Sequence, residues 1–127
     1  MDKSIISTTN APAAIGPYSQ AVKIDGLVFT SGQLPCEAST GNIVSVEIVE
    51  QTKQALSNLE QVLITAGASL DTVLKTTVFI KNMGDFTKIN EVYSTFFKQS
   101  FPSRSCVEVA RLPKDALIEI EAVAYLK

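Results

Sequence analysis

At 127 residues, 46% of them hydrophobic and 19% charged, the chain is long enough to bury a core without disulfide or metal staples. One domain over residues 1–127 is expected. Eleven Lys and Arg against thirteen Asp and Glu give a net charge of -2 with no basic block, which argues against nucleic acid as a partner. The chain has no histidine, which excludes Ser-His-Asp, Cys-His and His-zinc hydrolytic chemistry.

The N-terminal MDKSIISTTNAPAAIG lacks the apolar run of a signal peptide, and no stretch approaches the roughly 20 apolar residues that span a bilayer. A cytoplasmic protein with no membrane partner is expected. A mean hydropathy of +0.20 leaves room for a subunit interface. Cys36 and Cys106 are too few for a disulfide scaffold; free thiols are expected, with a single bridge left open by sequence alone.

Residues 3–7 read as a first short strand, followed by an ordered loop through TTNAPAAIGPYSQ. Strands are predicted at 21–24 and 27–31 around Asp25-Gly26, a dipeptide suited to a two-residue hairpin that needs positive φ at both turn positions. A helix is expected from near Ser45, whose hydroxyl would cap it, with Glu47 close to its positive end. Ile48, Thr52, Ala55, Leu56, Leu59, Val62, Leu63 and Ala66 recur at helical spacing until Gly67 stops it.

VLKTTVFIKN, residues 73–82, alternates as a strand does. A second helix from Asp85 carries Phe86, Ile89, Tyr93, Phe96 and Phe97 on one side and ends at FPS. Strands at about 103–110 and 116–126 follow. The order predicts an α+β two-layer domain, a mixed β-sheet with both helices on one face.

The last two strands raise the functional question. Side chains alternate along a strand, so Arg104, Cys106 and Glu108 share one face, while Ile118, Ile120 and Ala122 oppose Glu119 and Glu121. The expectation is an apolar sheet face under the helices and an opposite face carrying the arginine, the thiol and the carboxylates. That polar face either meets water or is covered by another subunit, leaving a pocket in which Arg104 receives a ligand carboxylate. A guanidinium grips anions but is no general base, so proton transfer falls to a carboxylate, a thiol, a tyrosine or water.

FTSGQLP, the passage QALSNLEQVLITAGASLDTVLKTTVFIKNMGDFTKINEVY, the N-terminal NAPAAIGPYSQ and above all FPSRSCVEVARLPKDALIEIEA resemble the Rid (YjgF-type) family, RidA subgroup, over nearly the whole chain. The resemblance implies a chorismate-mutase-like fold, a homotrimer with clefts between subunits, and hydrolysis of 2-imino acids or their enamine tautomers to 2-oxo acids and ammonia. It implies no cofactor and no metal. Arg104 matches the carboxylate-binding arginine, Cys106 a pocket thiol, and Glu119 the acid that orients water; Glu121 is read as a neighbour. Tyr18, Ser31, Gly32 and Asn90 match further substrate-binding positions.

On the residues alone, Tyr18 anchors a loop, Ser31-Gly32 ends a strand and Asn90 faces solvent. The connection before Phe101 looks short for the family, and Cys36 has no functional role assigned. The rival functions are a non-catalytic trimer that binds small carboxylates or regulates, an RNA-directed role that the charge disfavours, and a mutase activity that a shared fold does not by itself transfer.

Overall fold

A computed structural model describes residues 2–127. Eight longer elements follow in chain order: β1 (Ser4–Ile6), β2 (Ala21–Ile24), β3 (Leu27–Thr30), α1 (Ile48–Ala66), β4 (Val73–Ile80), α2 (Phe86–Phe96), β5 (Ser103–Glu108) and β6 (Ile118–Tyr125). The six strands form one sheet in the order β1-β2-β3-β6-β4-β5. Neighbours are antiparallel except β4 and β5, which run parallel and are joined by the α2 crossover that parallel pairing demands. This is the mixed α+β sheet that the sequence predicts.

Local chemistry sets the element ends. Asp25 at φ 48° and Gly26 at φ 82° turn the β2–β3 hairpin as expected. Gly67, at φ 96°, closes α1: its N–H reaches the Ile64 carbonyl at 3.1 Å and that of Ala68 reaches Leu63 at 2.9 Å, a Schellman arrangement. The start of α1 differs from expectation. Ser45 does not cap the helix; its hydroxyl accepts the Glu47 N–H at 3.0 Å in a local turn, and the helix begins at Ile48. Buried Gln51 fastens this end instead, donating to the Ser45 carbonyl and accepting from the Leu117 N–H, each at 2.8 Å.

The core lies between the helices and one sheet face. Leu56, Leu59, Val62 and Leu63 of α1 and Ile89 of α2 are buried against Val28, Val78, Ile80, Ile118 and Ile120. Each such side chain contributes about 1.5–3 kcal/mol by leaving water.

Among the described residues, no α-helix covers the opposite sheet face. It carries Ile5, Leu27, Phe29, Val107 and Tyr125, all exposed, together with Glu119 and Glu121. Here the structure corrects the sequence. Arg104 pairs with Thr76, and Cys106 with Val78; Thr76 and Val78 are buried on the helix side, so Arg104 and Cys106 point to the helices, away from the glutamates. Alternation tells which residues share a face within one strand. Register across strands, which the residues do not spell out, decides which face that is.

Between β3 and β6 the ladder is irregular. From Phe29 to Gln33 the chain advances four residues while its partner steps back three, from Val123 to Ile120. The extra residue is a bulge: Thr30 fills the gap with its hydroxyl, accepting the Ala122 N–H at 3.0 Å. The bulge delivers Gly32 to Glu119.

Candidate active site

The site residues expected from sequence fall into two groups. On the helix side of edge strand β5 stand Arg104 and Cys106, with Asn90 reaching down from α2. The Arg104 Nη1 donates to Asn90 Oδ1 at 2.8 Å, so Asn90 does not simply face solvent. The guanidinium carbon lies 4.9 Å from the ring centre of Tyr93 and 5.4 Å from that of Phe86.

Among the described residues, no carboxylate pairs with this arginine. Glu108 shares its face but spends Oε1 on the Met83 N–H at 2.7 Å, and the ion pairs among the described residues are Lys53–Glu50 and Arg111–Asp115. A half-buried guanidinium without a counter-ion has the chemistry to receive an anion.

Cys106 packs against the core margin. Burial raises its pKa and the Arg104 charge offsets this only in part, which favours the thiol over the thiolate. Cys36, also free, is buried elsewhere; its carbonyl accepts from Asn58 Nδ2 at 2.8 Å, a packing role.

The second group belongs to the open side and the loops at its end. Glu119 presses on the Gly32 backbone so closely that a methyl group at position 32 would lie 2.7 Å from the carboxyl carbon. Burial raises the Glu119 pKa, and the nearby Glu121 charge raises it further. A carboxyl held in this way can keep or release its proton nearer neutrality than an exposed glutamate.

Ser31 donates to the Ser19 carbonyl at 2.5 Å, and its N–H reaches the Gln20 carbonyl at 2.9 Å. The hydroxyl therefore secures the loop that carries Tyr18. Tyr18 is exposed, its Oη accepting the Ile15 N–H at 3.3 Å. With Gly32, Gln33, Leu34, Cys36 and Lys114 it lines a concavity of about 280 Å³.

The protomer thus brings Arg104, Cys106 and Asn90 together, and Glu119, Gly32, Ser31 and Tyr18 together, but does not join the two groups. Sequence reading missed Phe86 and Tyr93 as part of the arginine's surroundings. The signal was there in the spacing: Phe86, Asn90 and Tyr93 stand at i, i+4 and i+7 of one helix, a polar residue inside an aromatic stripe. Among the described residues, no group of three or more Cys, Asp or Glu is arranged to hold a metal ion, and no helix is long and apolar enough to cross a membrane.

Residues 8–126 match the protein family described as Endoribonuclease L-PSP. A Pyrococcus abyssi protein of the RutC family is 53% identical, with 98% of each chain covered. The mouse protein named 2-iminobutanoate/2-iminopropanoate deaminase is 48% identical over 96% of this chain and 90% of its own length. Among solved structures, a Yersinia pestis member of the Rid family, YyfA, superposes with a TM-score of 0.95 at 48% identity, covering 98% of this chain and all of that one. Escherichia coli TdcF, solved with bound serine, gives a TM-score of 0.93 at 46% identity over 98% and 99% of the two chains. With this match over nearly its whole length, the chain belongs to the Rid (YjgF-type) family.

Proposed function

We propose that the protein hydrolyses 2-imino acids or their enamine tautomers, 2-iminobutanoate and 2-iminopropanoate among them, to 2-oxo acids and ammonia. One observation carries this reading: a half-buried arginine, set beside two aromatic rings and hydrogen-bonded at one nitrogen, with no carboxylate partner among the described residues. The deaminase name of the mouse relative and the amino acid bound to TdcF support it.

In the proposed mechanism Arg104 clasps the substrate carboxylate. Backbone groups around Gly32 orient the imine nitrogen, while Glu119, assisted by the Cys106 thiol, aligns a water against the imine carbon. Water addition forms a C–O bond and a carbinolamine; proton transfer to nitrogen then lets the C–N bond break, releasing ammonia as the carbonyl forms. Such imines hydrolyse unaided, so positioning and electrostatic stabilisation suffice without an activated nucleophile.

Because Arg104 and Glu119 face opposite ways within a protomer, the reading requires a neighbouring copy to complete each site. A homotrimer with sites between subunits meets this need, and the exposed apolar side chains of the open sheet face suit such contacts.

The test is to generate 2-iminobutanoate in situ with a threonine dehydratase and follow its decay. Wild-type protein should accelerate the decay, and Arg104→Ala should not, while keeping fold and assembly. An Arg104→Ala variant with full activity would remove the anchor. The family description favours a second reading, RNA cleavage. With a net charge of -2 that reading needs salt-dependent RNA binding that disappears on lysine substitution. A non-catalytic carboxylate-binding trimer would bind 2-oxo acids and leave imine lifetime unchanged.

A further inference from the structure

Tyr93 reads in the sequence as one more core aromatic, and it is buried. Its neighbours indicate a more specific task. The hydroxyl lies 2.8 Å from the Thr76 hydroxyl, and Thr76, fully buried, is the β4 residue paired directly with Arg104. Phe97 packs against the ring, with centroids 4.6 Å apart and the planes tilted by 33°. The ring is therefore held by Phe97 and, at its hydroxyl, by Thr76, and the guanidinium carbon rests 4.9 Å from its centre.

Asn90 and Phe86, one and two turns earlier on α2, add a hydrogen-bond acceptor for Nη1 and another aromatic contact. Among the described residues, Nε and Nη2 have no hydrogen-bond partner. These two nitrogens form an edge with parallel donors, the geometry that matches both oxygens of one carboxylate.

We propose that Tyr93, braced by Thr76, is a positioning residue for the anion receptor: it sets the plane of the Arg104 guanidinium so that the Nε–Nη2 edge is offered to the substrate carboxylate. The proposal rests on the reading of Arg104 as carboxylate anchor. It also distinguishes two roles. A ring that only fills the core affects stability; a ring that orients the receptor affects substrate affinity.

The test combines steady-state imine hydrolysis with calorimetric binding of 2-oxobutanoate. Tyr93→Leu removes the aromatic face and should raise both KM and the 2-oxobutanoate Kd roughly tenfold, with kcat falling less than about threefold. Tyr93→Phe keeps the face and loses only the Thr76 hydrogen bond; it should restore both constants to within about threefold of wild type. Should Tyr93→Leu fail to assemble, Phe86→Leu at a half-buried position carries the test, with KM raised several-fold and assembly unchanged. Wild-type KM and Kd in an assembled Leu variant would overturn this proposal alone. Wild-type protein that neither binds 2-oxobutanoate nor hydrolyses imines would overturn the deaminase reading, and this proposal with it.

Discussion

Arg104 and Glu119 point away from each other, from opposite faces of one sheet. β4 lies between their strands: Arg104 pairs with buried Thr76, Glu119 with Phe79, and Thr76 and Phe79 differ in parity. Two strand spacings and three residues separate them, roughly 10 Å in each direction, with the backbone in between. No rotamer brings the two side chains to one small substrate. If both act, they act from different protomers.

The proposed shared site would give the open sheet face a role as a contact between subunits. Phe29, 42% exposed, lies in the middle of this face, paired with Val22 and Val123. Phe29→Glu should leave the protomer folded, because the site faces outward, but should split the assembly and abolish imine hydrolysis. Light scattering on the eluting protein reports mass and circular dichroism reports fold; an active assembly of normal mass would contradict the interface assignment.

Gly32 offers a test of Glu119 placement without touching the carboxylate itself. In Gly32→Ala the new methyl group meets the carboxyl carbon at 2.7 Å and Oε2 at 2.8 Å, so the flexible side chain must swing aside. A displacement of this kind should lower kcat by about 100-fold with little change in thermal midpoint. Near-normal kcat would show that the position of Glu119 is unimportant.

Glu119 also predicts a pH dependence. Burial, then repulsion from Glu121, raises its pKa in the folded state, so the folded chain binds this proton more tightly than the unfolded chain. Its stabilising contribution is complete below the unfolded glutamate pKa and is lost as pH rises through the folded one. Glu119→Gln should therefore melt higher than wild type at pH 8 and lose the advantage toward pH 4, while its kcat falls. A variant that melts lower at pH 8 would contradict the burial penalty.

Much of this architecture was legible in the residues because local chemistry agrees with tertiary context. Gly67, Asp25-Gly26 and the α1 stripe each announce a backbone geometry that only a few residues permit. Ser45 misled because a hydroxyl that can cap a helix can equally close a turn before it. The facing of Arg104 was hidden for a different reason: parity inside β5 is local, whereas the pairing of Thr76 with Arg104 is a long-range fact. Resemblance proposed which residues form the site; the fold places them in two groups on opposite sides of the sheet. Tyr93 and Phe86 were read as core because an aromatic at helical spacing carries no mark of what rests on its face.

The division of the site can be tested by mixing two crippled proteins. Arg104→Ala and Glu119→Gln subunits, each purified, are unfolded together in equal amounts, refolded, and assayed with 2-iminobutanoate generated in situ. If every site takes its arginine from one protomer and its glutamate from the next, about a quarter of the sites in the mixture regain both groups, and activity should recover to that fraction of wild type. A mixture that assembles yet stays as inactive as either parent would contradict a site shared between subunits.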